Sequence, residues 1–454
     1  MDAETPDRVI PVPCAPKKAP CPTCGTLAPR TRTFQRDVRT IAYKEIAVLR
    51  ITYGEYEARC ECCTTFRTHP DDVLPKAKYD NKVREAVLDG ILEDHLNVEA
   101  VRRRMKRDFL LDLSTGFVYD CLHDAVRQLD MAEHRREVLE RFSGVLCVDE
   151  LRLGSFTLLL ATDPIGDFPV AFALVSANDK EHMARFLGNL KRQGLRPKTV
   201  VTDGSPLYPA LLAELWPKAE HQLCVFHVMQ DLNNLILDAV RRLRTRMKRQ
   251  SRKGRRRKRG RPSRAQTRRR AAKGPSLKDK ATFVFKHRHL IVKRRENLSE
   301  SEAKHLRTIL EYLPALRTLR DFTDRLHRLF DLEQSEHQAW CRWRALRASK
   351  EFQAIPELAK ALASLGEEKF AKMIAFLRGP ARRRRQVRTN NHAERCNRKL
   401  RYWEKVRYKW RRRRTLVRYV VLAVDRWWKE SFEPKAQGST EEKPEVGKPR
   451  AKAT

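Results

Sequence analysis

Two aspartates in this 454-residue chain stand where carboxylates do metal chemistry. Asp149 follows the apolar run Val145–Val148, and Asp203 follows Thr199–Thr202. Each run reads as a buried strand, and carboxylates at the C-terminal ends of neighbouring parallel strands point into the crevice where open α/β sheets hold their sites. Like charges that close repel unless a divalent cation lies between them. A few hard oxygen ligands suit Mg²⁺, which completes its shell with water and phosphate oxygens. The competing reading is structural: Asp149 caps a turn and Asp203-Gly204 is a turn pair. A second set of candidates is sulfur. Cys21-x-x-Cys24 and Cys60-x-x-Cys63 have the spacing of paired knuckles around one tetrahedral Zn²⁺, with Pro22 and Gly25 suited to the tight turn and Cys62 able to replace one ligand. Four thiolates leave no open position, so that zinc is structural; incidental thiols are the alternative. Cys224 and His227 also have metal-binding types, but two ligands do not make a site, and a packed pair at a strand-to-helix junction is the other reading.

The elements that must position these residues form an α+β, multidomain chain without internal repeats. Residues 1–20, with five prolines, read as a disordered arm, and 434–454 as a disordered tail. Residues 21–75 are β-rich, with strands expected at Thr40–Tyr43 and Ile46–Ile51. Residues 78–142 are helical: Val83, Val87, Leu88 and Ile91 fall at helical spacing, and Ser114 is placed to cap a helix through Val118, Cys121, Leu122 and Val126. That last helix offers Tyr119, His123 and Arg127, as a recognition helix of a helix-turn-helix would; plain packing explains it equally. Residues 144–240 switch period to β-β-β-α-β-α-β-α, a meander followed by crossover units, hence a mixed sheet with helices on its faces. From 241 to 430 the pattern is helical, opened by a basic linker and containing the capping box Ser299-x-x-Glu302. Leu306, Ile309, Leu310 and Leu313, then Leu319, Phe322, Leu326 and Leu329, mark buried faces.

Four motifs occur in order: Asp149-Glu150-Leu151, Val201-Thr202-Asp203-Gly204-Ser205, Cys224-Val225-Phe226-His227, and Thr389-Asn390-Asn391-His392-Ala393-Glu394-Arg395. Together they resemble the signature of DDE transposases encoded by bacterial insertion sequences, near the Mutator-like branch, over about residues 20–430. The resemblance implies an N-terminal zinc ribbon (21–75), a helical DNA-binding domain (78–142), a ribonuclease-H-like core (144–240), a helical insertion (241–380) and core C-terminal helices (381–430). It implies that Asp149, Asp203 and Glu394 hold catalytic Mg²⁺ (or Mn²⁺), with 190 residues between the last two. It marks Cys224 and His227 as characteristic without fixing their role. For Glu394 the bland reading is a near capping box, Asn391-x-x-Glu394. Glu150 is the weaker carboxylate, because the period of two along a strand turns it away from Asp149. The activity implied is metal-dependent cleavage at the element's terminal repeats, followed by strand transfer into target DNA in an oligomeric synapse. A non-catalytic DNA-binding regulator derived from a transposase is the rival.

Charge agrees with a nucleic-acid partner. The chain carries 96 Lys plus Arg against 57 acids, a net +39, with 34 % charged residues. The excess is concentrated: residues 241–273 hold 19 basic residues and no acid, and residues 378–418 hold 18 against two acids. The first tract reads as phosphate-binding linker, with Arg259-Gly260-Arg261-Pro262 similar to an AT-hook core that lies in a narrow minor groove, or a chance match in so basic a run. The second places Arg388, Arg395, Arg398 and Lys399 around Glu394, with Tyr402, Trp403, Tyr408 and Trp410 available to stack on unpaired bases. Trp427 and Trp428 read as core anchors. No run approaches the ~18 apolar residues of a membrane span. An acidic, proline-rich start and eleven cysteines point to a reducing compartment; the resemblance implies the bacterial cytoplasm, in association with the nucleoid.

Overall fold

The structure, a computed structural model, describes residues 6–58, 60–61, 65–252, 275–406 and 412–432. The chain divides into two compact units, Met1–Met131 with Trp403–Thr454, and Ala132–Tyr402.

The first unit is built on a five-stranded sheet of β1 (Arg8–Cys14), β2 (Lys18–Pro20), β3 (Leu27–Thr40), β4 (Ala47–Glu57) and β5 (Thr65–Arg67), in the order β1-β4-β3-β2 with β5 also on β4. Two expectations are corrected here. Residues 8–14 are not a disordered arm but strand β1, paired parallel to β4. An edge strand tolerates Pro11 and Pro13, which lack a backbone donor. Of Thr40–Tyr43 only Thr40 is in a strand; the next residues form the turn into β4, where Lys44 has φ 58°. The long β3 escaped notice because Arg30, Arg32, Arg36, Asp37 and Arg39 interrupt its apolar pattern, and only Ala28 and Val38 are buried apolar positions along it.

Three helices follow, Asn81–Leu92, Val98–Phe109 and Thr115–Arg127. Each opens on a side-chain cap, Asp80, Asn97 and, as the sequence predicts, Ser114. Val83, Val87, Ile91, Val101, Met105, Val118, Cys121 and Leu122 form their buried faces. The helix Arg413–Phe432 belongs to this unit rather than to the core: it packs on Thr115–Arg127, and Arg426 reaches Glu93 and Asp89 at 2.6 and 2.8 Å. Its Trp428 is buried, the anchoring role expected of it.

The second unit contains the mixed sheet. Its strands are β6 (Val145–Leu153), β7 (Phe156–Asp163), β8 (Phe168–Val175), β9 (Thr199–Thr202) and β10 (Glu220–Leu223), ordered β10-β9-β6-β7-β8. β6, β7 and β8 form the antiparallel meander, and β9 and β10 add parallel to β6. The crossover helices are Lys180–Arg192 and Tyr208–Leu215. One apolar cluster joins Val145, Cys147, Val201 and Leu223 of the sheet to Val228, Leu232 and Ile236 of the next helix and to Leu306, Leu319, Phe322, Phe330 and Phe370 of the helical segment. That segment therefore shares the core of the sheet. Buried Gln222 on edge strand β10 secures it, donating to the Met373 carbonyl at 2.9 Å and accepting from the Phe376 N–H at 2.8 Å. The capping box at Ser299 and Glu302 forms as expected. The basic tract departs from its expected character at its start: residues 241–252 continue the helix Val225–Arg252. Met247 supplies it with a buried contact. Arg259, Arg261 and residues 434–454 lie outside the described residues. Among the described residues no helix is long and apolar enough to cross a membrane.

Candidate functional site

The catalytic candidates meet at one end of the parallel strands. β6 and β9 pair as Val145↔Thr199, Leu146↔Val200 and Cys147↔Val201. Asp149, within β6, and Asp203, one residue past the end of β9, each lie two residues beyond that last pair. β6 does not end at Asp149 as expected; it runs on to Leu153 as the partner of β7. Asp203 accepts the Ser205 N–H at 2.9 Å on Oδ1, so the turn anticipated at Asp203-Gly204 exists and fixes the carboxylate without using both its oxygens.

The helix Asn391–Val406 brings Glu394 to this end. The Glu394 N–H bonds the Asn390 carbonyl at 3.1 Å, which makes Asn390 the cap and puts Glu394 one position too far along for a capping box. The helix is held by two amides. Buried Asn390 donates to the Val148 carbonyl at 3.0 Å, and its backbone N–H meets the Cys224 sulfur at 3.2 Å. Asn397 donates to Asp149 Oδ2 at 2.7 Å. Residues 390, 394 and 397 share one helical face, so an Asn–Glu–Asn stripe lies along β6. The sequence reading passed over both asparagines, although the 3.6-residue period through Glu394 carries the signal.

Burial pushes the Asp149 carboxyl up to about 7, with the Glu150 and Glu394 charges adding to it against the Asn397 hydrogen bond. Glu150 faces different partners: Tyr208 donates to its Oε1 at 2.9 Å, and burial and then the Asp203 charge raise its pKa. Asp203 therefore acts on Glu150, and Tyr208, fully buried and with its own pKa raised by burial, closes that side.

The third strand end supplies Cys224, whose N–H bonds the Thr202 carbonyl at 2.8 Å and whose own carbonyl receives the Val228 N–H at the start of the helix Val225–Arg252. His227, one turn in, lies beside that sulfur, which lifts its pKa to about 9 against the effect of burial. Its Nε2 is 3.4 Å from Glu394 Oε1. The ligand atoms of Cys224, His227 and Glu394 all fall within 4.8 Å of one another. Asp149, Asp203 and Glu394 are not gathered that tightly: among the described residues no such cluster contains them together. A pair of ions ~3.5–4 Å apart spans more than one ligand sphere, so a two-ion site does not require it.

Of the arginines expected on DNA, Arg388 is turned inward. Its guanidinium donates to the Phe330 carbonyl at 3.0 Å, and burial lowers its pKa. Neighbouring Arg384 is similarly spent on the carbonyls of Leu332, Gln334, Leu377 and Gly379. Arg395 is exposed and lies 3.3 Å from Asp167, which also accepts from His392. Arg398 and Lys399 are exposed.

In the first unit Cys21, Cys24 and Cys60 bring their sulfurs within 4.8 Å of one another; Cys62 and Cys63 lie outside the described residues. The antiparallel pairing of β3 and β4 explains the gathering, because the β2–β3 and β4–β5 connections leave the sheet at the same end. Gly25 takes φ 76° and its N–H bonds the Cys21 carbonyl at 2.9 Å, a turn closed to most side chains. Backbone N–H groups of Cys24 and Thr23 hold the Cys21 thiol below its ordinary range, as a metal-binding thiolate requires.

A family profile described as transposase, of the ISL3 type, matches residues 146–413, more than half of the chain. Among solved structures the chain is similar to that of a Drosophila P element transposase strand transfer complex, at 13 % identity and a TM-score of 0.38, over 80 % of this chain and 94 % of that one. No curated protein matches it.

Proposed function

Because the chain belongs to this transposase family, we propose that it cleaves and joins DNA at the terminal repeats of its own insertion sequence, with Asp149, Asp203 and Glu394 holding two Mg²⁺ or Mn²⁺ ions. The observation that carries the assignment is that Asp149 on β6 and Asp203 just past β9 each lie two residues beyond the last pair of these adjacent parallel strands, with the Glu394 helix fixed to β6 by Asn390 and Asn397. The donor set fits such ions. It consists of hard oxygens, one of them the buried Glu394 Oε1, which makes no hydrogen bond, and one carboxyl that burial and neighbouring charge keep from ionising alone. When bound, the ions activate water and stabilise the entering and leaving oxygens of phosphodiester displacement. The protein's part is orientation: Asn397 occupies Asp149 Oδ2 and leaves the other oxygen to a ligand, while the Ser205 N–H does the same for Asp203. The freed 3′-hydroxyl then attacks target DNA with no covalent protein–DNA intermediate.

The meander with two parallel crossovers supports a ribonuclease-H-like core. Exposed Arg395, Arg398 and Lys399, on the helix that carries Glu394, suit a phosphate backbone beside the site. Arg259 and Arg261 remain candidates for a minor groove. In the first unit Cys21, Cys24 and Cys60, completed by Cys63 through its knuckle spacing, suit a structural Zn²⁺ that ties two hairpin turns together. A synapse that joins two DNA ends calls for an oligomer, and a DNA-bound, nucleoid-associated protein of the bacterial cytoplasm is the setting.

Purified protein is tested for nicking of DNA carrying the element's ends, in Mg²⁺ and in Mg²⁺-free buffer. Metal-dependent 3′-hydroxyl release that disappears in Asp203→Asn is expected. Tight, salt-sensitive binding without nicking would instead establish the regulator.

A further inference from the structure

Cys224 and His227 have no task in the reading above. The sequence left them as two ligands; the fold adds a third. Spaced three apart across the start of the helix Val225–Arg252, their side chains lie together, as cap and third helical residues do in a capping box. Glu394 arrives from a helix more than 160 residues further along, and the three ligand atoms all come within 4.8 Å of one another. Two details point to a ligand. Glu394 Oε1 is buried and makes no hydrogen bond, although it lies 3.4 Å from His227 Nε2. The fully buried Cys224 sulfur receives the Asn390 N–H at 3.2 Å, which fixes its position beside the other two donors. His227 and Glu394 remain about one-third and one-quarter exposed, so the cluster is open to ions from solvent.

Sulfur, imidazole nitrogen and a single carboxylate oxygen form the donor set of a borderline ion; Mg²⁺ would refuse the sulfur. We propose that Cys224, His227 and Glu394 form a second divalent-metal site, selective for Zn²⁺-class ions. Three protein ligands leave one position for water or a phosphate oxygen. Zn²⁺ held on Glu394 Oε1 draws that carboxylate toward Cys224 and His227 and so competes with the Mg²⁺ site for it, which inhibits cleavage. That consequence rests on the role proposed for Glu394; the site itself does not.

The test uses the full chain. Co²⁺ is titrated into wild type, Cys60→Ser and Cys224→Ser, following the thiolate-to-cobalt charge-transfer band and the bound equivalents. Wild type is expected to bind two equivalents through sulfur, and each variant one. His227→Asn, at a partly exposed position, should repeat the loss if serine at the fully buried Cys224 disturbs packing. Zn²⁺ added to a Mg²⁺-supported cleavage reaction should inhibit wild type at least tenfold more strongly than His227→Asn. Equal cobalt spectra in wild type, Cys224→Ser and His227→Asn would overturn the site. A normal cobalt result with no cleavage by any form would leave the site standing and count against the catalytic reading alone.

Discussion

Replacing Asp149 by Asn should stabilise the protein in the absence of added Mg²⁺ while abolishing its chemistry. Burial holds this carboxyl near 7 against an ordinary 3.8. Such a difference is worth on the order of 4 kcal/mol against the ionised form, and partial solvent access reduces it to about 2 kcal/mol in practice. The sign follows from proton linkage. The folded chain binds this proton more tightly than the unfolded chain, so the group's contribution is most favourable below about pH 4. It declines as pH rises to about 7 and is constant above that. Asparagine mimics the neutral acid at every pH and can still face the Asn397 amide. Urea unfolding of wild type and Asp149→Asn at pH 5 and pH 8, without added Mg²⁺, should therefore show an advantage for the variant that grows with pH. Mg²⁺ should reverse the order at pH 8 by stabilising wild type alone, and its affinity for wild type should rise as pH approaches 7. Loss of ~4 kcal/mol of transition-state stabilisation corresponds to a fall of about 10³ in strand cleavage. A variant less stable than wild type at pH 8 without added Mg²⁺, or a difference that does not change with pH, would refute the reasoning.

Other consequences follow from the same geometry. Asn397→Ala removes the donor to Asp149 Oδ2, and half-saturation by Mg²⁺ in the cleavage assay should rise roughly 10- to 100-fold, the usual effect of losing an outer-shell partner. Arg388→Ala should lower stability by about 1–3 kcal/mol in urea unfolding and leave the salt dependence of DNA binding unchanged, because the guanidinium serves the Phe330 carbonyl. Arg398→Ala should do the opposite, weakening binding to all DNA sequences and reducing the slope of log affinity against log salt by about 1. Cys60→Ser should lower bound zinc by one equivalent relative to wild type in metal analysis, and a zinc content equal to that of wild type would argue against the ribbon.

The legible parts of this chain were those in which local pattern and global fold agree. The apolar run Val145–Val148 and the helical spacing around Leu319, Phe322 and Leu326 each match the element that forms. Caps at Ser114 and Ser299 were readable because one side chain and one N–H decide them locally. Strand β1 was hidden by prolines that only an edge position tolerates, and β3 by charges on its exposed face. Asp149 and Asp203 were legible as candidates because each directly follows an apolar run in the sequence. Their position just beyond the last pair of adjacent strands depends on which strands pair, which no local pattern encodes. Arg388 was misjudged for a related reason: a basic cluster looks uniform in sequence, whereas here Arg384 and Arg388 cap carbonyls inside the protein. The Cys224–His227–Glu394 cluster could not be read at all without the distant helix.

Counting bound manganese on the full chain, with a DNA end present, tests the central claim most directly. Electron paramagnetic resonance of Mn²⁺ distinguishes bound from free ion without requiring turnover. If Asp149, Asp203 and Glu394 hold the catalytic ions, wild type binds two Mn²⁺ per chain and Asp203→Asn loses them, while Cys224→Ser keeps both. Undiminished Mn²⁺ binding by Asp203→Asn would contradict the account.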